Sequence, residues 1–359
     1  MKKYKSFLTL IFLWCLNQTL VNAQTIKPIE RSIGQLHISV DPRMELITTV
    51  QMLSEYPFIK RNYPYSQDVL DYFQPFSSEE AITITNSLMN NYGFGADAPV
   101  GFMLHLSQPP ELETQHEISD DLLERSGKSG NLEQYRRAMQ QFAKTSNFDS
   151  FWNSKIPFYN QIIDTIITEI GEKDMVKILE DFLNETQESY HLIIAHTFAG
   201  GFAHRIPGNT GKYHVYACLF THLKDNKPYL DFNIIADFLW HEFSHSFVNP
   251  LTEKYADKVA SLDQLFEPIK EQMSKQFYPE WESCLNEHIV RAITVRLAQL
   301  HLGAKQSKEL LDSEISQHYI YIEPLIEKLK EFENQRDKNK ITFTEYYPEL
   351  LNMLESLQK

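Results

Sequence analysis

Ile234 to Val248 spells a helix with almost no polar face, and it carries His-Glu-Phe-Ser-His at 241–245. On a helical wheel Ile235, Ala236, Leu239, Trp240, Phe243, Ser246 and Phe247 lie opposite the two histidines, while Ile234, Asp237, Phe238 and Val248 share their side. A segment apolar nearly all round runs through the middle of a domain, and the rest of the chain must fold around it. Buried imidazoles need partners. Positions i and i+4 lie about 40° apart around the axis, so one cation can touch His241 and His245 together. Glu242 sits about 100° round from His241, out of easy ligand reach but able to meet a water on the open side of the ion. Two imidazoles at this spacing with an adjacent carboxylate match a zinc hydrolase site in which Glu242 is the general base. The bland reading of the same residues is a pair of core histidines bonded to backbone.

A mononuclear zinc site needs a third protein ligand. Trp281 to Leu302 has helical apolar spacing at Leu285, Ile289, Ile293 and Leu297, with Val290 and Ala292 on the flanks, and reads as a second buried helix. Glu287 on it is the chosen ligand, and Arg291 one turn later can brace its carboxylate. Glu280, Glu282 and His288 are rivals. Asp237, one turn before His241, can orient that imidazole. Amide hydrolysis also calls for a donor to the developing oxyanion, for which Tyr321, with Tyr319 beside it, is the candidate.

The run His-Glu-Phe-Ser-His, followed by Ser246-Phe247-Val248-Asn249-Pro250 and then a distant helix with Glu-x-x-x-Arg, resembles the zincin metallopeptidase clan of glutamate-ligand type. It is most similar to an uncharacterised domain-of-unknown-function group of bacterial exported proteins with an HEF-x-H-x-F-V-N-P core. That resemblance covers most of the chain, whereas the match to characterised zincins is confined to the motif helix and Glu287. It implies an α+β, zincin-like fold, with a mixed sheet beside the motif helix, a mainly helical C-terminal subdomain supplying the third ligand, and a cleft between them. It further implies that an edge strand just before the motif helix lines the cleft and pairs with an extended substrate. The sequence departs from the pattern at Arg291, where the better-known glutamate zincins generally carry an acidic or small residue.

The first residues, Met1-Lys2-Lys3-Tyr4-Lys5, are basic, Phe7 to Leu16 are almost wholly apolar, and Val21-Asn22-Ala23 offers small residues for cleavage. Residues 1–23 therefore read as a signal peptide, with export to the periplasm or beyond. Cys15 lacks the small neighbours of a lipidation site. The apolar run of about ten residues is too short to span a bilayer, and no later run approaches the required length. Without the leader the formal charge moves from −14 to −17, which disfavours nucleic acid or anionic membrane as a partner. Cys218 and Cys284 remain, able either to pair or to pack as small hydrophobes.

The rest divides into an N-terminal α+β region, 24–249, ending with the motif helix, and a helical region, 250–359. Gln35 to Val40 alternates like a strand, Arg43 to Glu55 reads as a helix, and Ser77 with Glu80 forms a capping-box signature. Ala98 to Leu106 reads as a strand. Leu132 to Lys144, Phe151 to Ile170 and Lys173 to Leu183 read as helices, with Asn131 as an N-cap, Pro157 as a bend and Gly171 as a stop. Tyr190 to Thr197 and Lys212 to Phe220 read as a hairpin whose loop holds Gly200, Gly201, Gly208 and Gly211, with His204 and Arg205 available to a substrate carboxylate or an oxyanion. Asn249-Pro250 ends the motif helix, and Leu262–Gln276, Lys308–Gln317, Glu323–Glu333 and Phe343–Leu357 continue in helix, the last with Thr342 and Glu345 as a capping box.

Two functions compete. One is an exported zinc metallopeptidase acting on a peptide or protein substrate. The other is a non-catalytic envelope binding protein whose histidines are packed or hold a structural metal. Glu242 favours the first, because a structural site has no use for an unliganded carboxylate beside its first histidine.

Overall fold

The computed structural model describes residues 25–60, 62–219, 222–224 and 227–358; the leader read at 1–23, Cys15 included, lies outside these. The protein is α+β, with a five-stranded mixed sheet and mostly helices around it. Its strands are β1 (Ile29–Ile33), β2 (Leu36–Val40), β3 (Ser189–Ile194), β4 (Gly201–Pro207) and β5 (Tyr213–Leu219), in the order β1-β2-β3-β5-β4. β2, β3 and β5 run parallel, while β1 and β4 close the two edges antiparallel. A two-stranded ribbon, β6 (His222–Lys224) and β7 (Lys227–Tyr229), follows.

Between β2 and β3 come α1 (Pro42–Leu53), α2 (Pro64–Phe73), α3 (Glu80–Tyr92), α4 (Ala98–Leu104), α5 (Asp120–Arg125), α6 (Ser129–Thr145), α7 (Phe148–Ile170) and α8 (Met175–Leu183). After the ribbon come α9 (Phe232–Lys254), α10 (Ala256–Ala260), α11 (Lys270–Lys275), α12 (Trp281–His301), α13 (Ala304–Ser316), α14 (Ile322–Asn339) and α15 (Phe343–Ser356). One continuous set of buried side chains, from Ile26 to Leu354, joins the sheet to both helical groups.

α9 is the expected central helix. Asp231 caps it by accepting from the Ile234 amide at 3.1 Å. One side packs on β4 and β5, another on α12. Its buried serines satisfy themselves within the helix, Ser244 donating to the Trp240 carbonyl at 2.6 Å and Ser246 to that of Phe243 at 2.7 Å. The Trp240 indole reaches the Met175 carbonyl at 3.2 Å.

Several expectations are corrected. Ala98 to Leu106 is not a strand: residues 98–104 form α4, buried on every side, with Pro99 in its first turn. A short apolar run carries no period that separates strand from helix, and a first-turn proline suits the helix. The hairpin of Tyr190–Thr197 with Lys212–Phe220 is instead a parallel pair, β3 with β5, because the segment between them returns as β4. That segment opens on two glycines and closes on Pro207-Gly208, so local composition hides a strand that only pairing to β5 creates.

Pro250 does not end α9, which continues to Lys254. A proline inside a helix strands the carbonyl four residues back. Here that carbonyl, Ser246 O, accepts from Gln187 Nε2 at 3.1 Å, and the helix persists. Ser77 and Glu80 form no capping box, since α3 is entered through Glu79 without a side-chain cap. Asn131 lies inside α6 and donates to the Ser126 carbonyl. Thr342 and Glu345 do form their capping box, and Gly171 ends α7 with φ +63°. Cys218 and Cys284 are separate buried free thiols. No helix among the described residues is long and apolar enough to cross a membrane.

Candidate metal centre

α9 and α12 pack side by side and bring His241, His245 and Glu287 together. His241 Nε2 and His245 Nε2 are 3.3 Å apart, His245 Nε2 is 3.3 Å from Glu287 Oε1, and His241 Nε2 is 3.6 Å from Glu287 Oε2. An ion bound tetrahedrally at about 2.05 Å places its ligand atoms about 3.3 Å from one another, so this spacing fits one metal ion without rearrangement. Among the described residues this is the only group of three or more histidine, cysteine or acidic side chains so placed.

Two of the three candidate ligands are held from behind. His245 Nδ1 bonds to Asn249 Oδ1 at 3.1 Å, one helical turn on. An amide oxygen accepts only from N–H, so this bond places the proton on Nδ1 and leaves Nε2 free for a cation. Arg291 Nε donates to Glu287 Oε2 at 3.1 Å and its Nη1 to Glu314 Oε2 at 2.7 Å, while its guanidinium lies 4.3 Å above the Tyr319 ring. The arginine at the departing position is therefore a brace pinned between two carboxylates.

Charge in this site follows from burial and pairing. Burial pushes His241 down to about 3 against the pull of Glu287. Burial also disfavours charge on His245, but its bond to Glu287 outweighs that and raises it. For Glu287 burial alone would raise the carboxyl, yet His241, the His245 bond and Arg291 hold it well below the usual carboxylate range. Glu242 makes no ligand contact. Burial lifts it to about 7, Glu287 adds to the rise, and His245, Arg291 and the Ala203 backbone amide oppose it. A carboxyl that exchanges protons near neutrality is suited to acid–base work.

A cavity of about 470 Å³ opens onto these residues, lined by His241, Glu242, His245, Asn249, Tyr278 and Glu287 on one side and by the start of β4 on the other. A larger cavity of about 930 Å³, lined among others by Lys177, Glu180, Ser246 and Arg336, contains none of the ligands. β4 approaches α9 closely at Gly201, where an added Cβ would stand 2.2 Å from the Phe238 ring. The carbonyls of Tyr213 and Leu219 accept from Glu188 and Ala195 on the β3 side. Successive residues of a strand point their backbone groups to opposite sides, so it is the even residues of β5 that bond β4. Their partners are Phe202, His204 and Ile206. The backbone groups of Gly201, Ala203 and Arg205 consequently face the open edge beside the cleft.

The remaining candidates fall elsewhere. Tyr321 is not an oxyanion donor: its hydroxyl donates to the Leu265 carbonyl at 2.7 Å, and it lines no part of the cavity. Tyr319 is fully buried under Arg291. His288 is turned away, its Nδ1 on the Cys284 carbonyl at 2.8 Å, and Glu280 and Glu282 are exposed at the start of α12. Asp237 interacts with Gln306, and burial raises it to about 7; no hydrogen bond joins it to His241 among the described residues. His204 and Arg205 sit on β4, not in a loop, with His204 Nε2 3.0 Å from His105 Nε2 and Arg205 paired to Glu253. Tyr278 is the cleft residue that sequence reasoning missed. Burial raises its phenol, and the neighbouring Glu287 adds to the rise while Arg291 opposes it. Its only sequence signal is an aromatic just before Pro279 and α12, one tyrosine among 18.

The family described as Domain of unknown function (DUF4932) matches residues 36–353, and the chain belongs to it. No curated protein and no solved structure matches the chain.

Proposed function

We propose that this member of the family is an exported zinc-dependent hydrolase of peptide or similar amide bonds. The reading rests on one observation: three ligand atoms at metal-binding separation with a fourth, unliganded and buried carboxylate beside them on a cleft. His241, His245 and Glu287 would hold the ion. When bound, zinc would polarise the scissile carbonyl and acidify a water beside it. Glu242 accepts a proton from the attacking water and returns it to the departing amine, so no proton is gained or lost over the reaction. Tyr278, which lines the same cavity, would donate to the oxygen that gains charge in the transition state. The outward carbonyls of Gly201, Ala203 and Arg205, with the amides of Gly201 and Arg205, would hold an extended chain as a sixth strand, while the Ala203 amide faces Glu242. The basic and apolar start of the sequence supports export.

Zinc content and peptidase activity of three proteins test this. Wild type should carry one zinc and cleave peptides. Glu242→Gln should keep the metal while losing about 10²–10⁴ in turnover, and His245→Ala should lose both. Undiminished turnover in Glu242→Gln would refute the assigned base, and a metal-loaded wild type inert on every peptide would point to the binding-protein alternative.

A further inference from the structure

The cleft is chemically lopsided along β4. At the Gly201 end, the cavity that holds the ligands is walled by Phe58, Phe198 and Phe202 together with Ala199 and Gly200. The rings of Phe198 and Phe202 pack edge to face at 5.4 Å. This wall is built, not draped: the Ala199 amide donates to the Phe58 carbonyl at 2.8 Å and the Lys60 amide to that of Thr197 at 2.7 Å. The one acid on that wall, Asp97, is paired with Arg125 at 2.8 and 3.0 Å, which offsets its charge. Toward Arg205 a second cavity, about 410 Å³, shares Ala203, His245 and Asn249 with the first and is lined by Ser119, Asp121, Arg205 and Glu253. The metal ligands thus stand between an aromatic pocket and a polar one.

Resting on the hydrolase reading above, we propose that the substrate is an extended peptide whose scissile bond has an aromatic or large aliphatic side chain on one flank only, seated against Phe58, Phe198 and Phe202. Outward backbone groups on β4 set the register without reading side chains, so selectivity comes from the pockets. Removing an aromatic side chain from water at the apolar end favours its substrate, while a charged side chain there would lie unpaired. The polar flank keeps its own solvated groups and accepts most residues.

A digest of a mixed peptide library by the zinc-loaded full chain, with cut sites mapped by mass spectrometry, tests this. Phe, Tyr, Leu or Met should be enriched roughly ten- to a hundredfold at one position next to the cut and not at its neighbour across it. Phe58→Ala should erode that enrichment, and Phe58→Leu should retain most of it; zinc content of both variants shows that the site is still assembled. Cleavage without an apolar preference beside the bond overturns the pocket assignment and leaves the hydrolase reading standing. No cleavage of any peptide by zinc-loaded wild type overturns both.

Discussion

The aim of His245 depends on a single amide oxygen one helical turn away. Asn249 Oδ1 holds Nδ1 at 3.1 Å, so Nε2 points at Glu287 and His241. Asn249→Ala removes that acceptor without touching a ligand, and zinc affinity should fall roughly 10- to 100-fold. Competition with a chromogenic chelator measures it; an unchanged affinity would mean that packing alone orients the ring. Glu287 and Arg291 were both legible in the sequence because a four-residue spacing on one helix makes them neighbours whatever surrounds them. Tyr278 was not, since it enters the cleft from the segment ahead of α12, and no local period reports where such a segment lands.

At the scale of elements, the joint between α9 and the sheet turns on Gln187. Its Nε2 supplies the donor that Pro250 withholds from the Ser246 carbonyl, and its Oε1 accepts from the Tyr213 amide at 2.9 Å, at the first residue of β5. One side chain therefore keeps a proline-bearing helix regular and ties it to a central strand. Gln187→Ala leaves two backbone groups unpaired and should cost about 1–3 kcal/mol of stability, read by urea denaturation. A loss near zero would show that water replaces the amide. The continuation of α9 past Pro250 was invisible in the sequence because Gln187 is distant along the chain. The same reason hid β4, whose residues have weak strand character until β5 lies beside them.

Over the whole molecule, stability should carry a pH signature from a buried acid outside the candidate metal centre. Glu45 on α1 is almost wholly buried and accepts from the Tyr65 hydroxyl, which is 2.7 Å from that of Tyr159. Burial raises Glu45 to about 7 from an ordinary 4.5, only partly offset by the hydrogen bonds of Tyr65 and Tyr159. The folded state thus binds this proton more tightly than the unfolded chain does. The stability it contributes is complete below pH 4.5 and is lost as pH rises through about 7. Glu45→Gln should remove that dependence, so the gap in melting temperature between variant and wild type should shift in the variant's favour from pH 5 to pH 8. A constant gap would place the proton elsewhere.

Read alone, the sequence determined whatever depends on neighbours within one or two turns. That covers the buried helix with its paired imidazoles and adjacent carboxylate, the second buried helix with Glu287 and Arg291, and most other helices. Period and spacing are local properties, and the backbone of a helix enforces them. Only the tertiary structure decided which groups converge from separate elements: the meeting of α9 with α12, the burial that lifts Glu242, the withdrawal of Tyr321 and arrival of Tyr278, and the open edge of β4. Those follow from how unlike surfaces pack to remove apolar area from water, and no single stretch of chain holds that information.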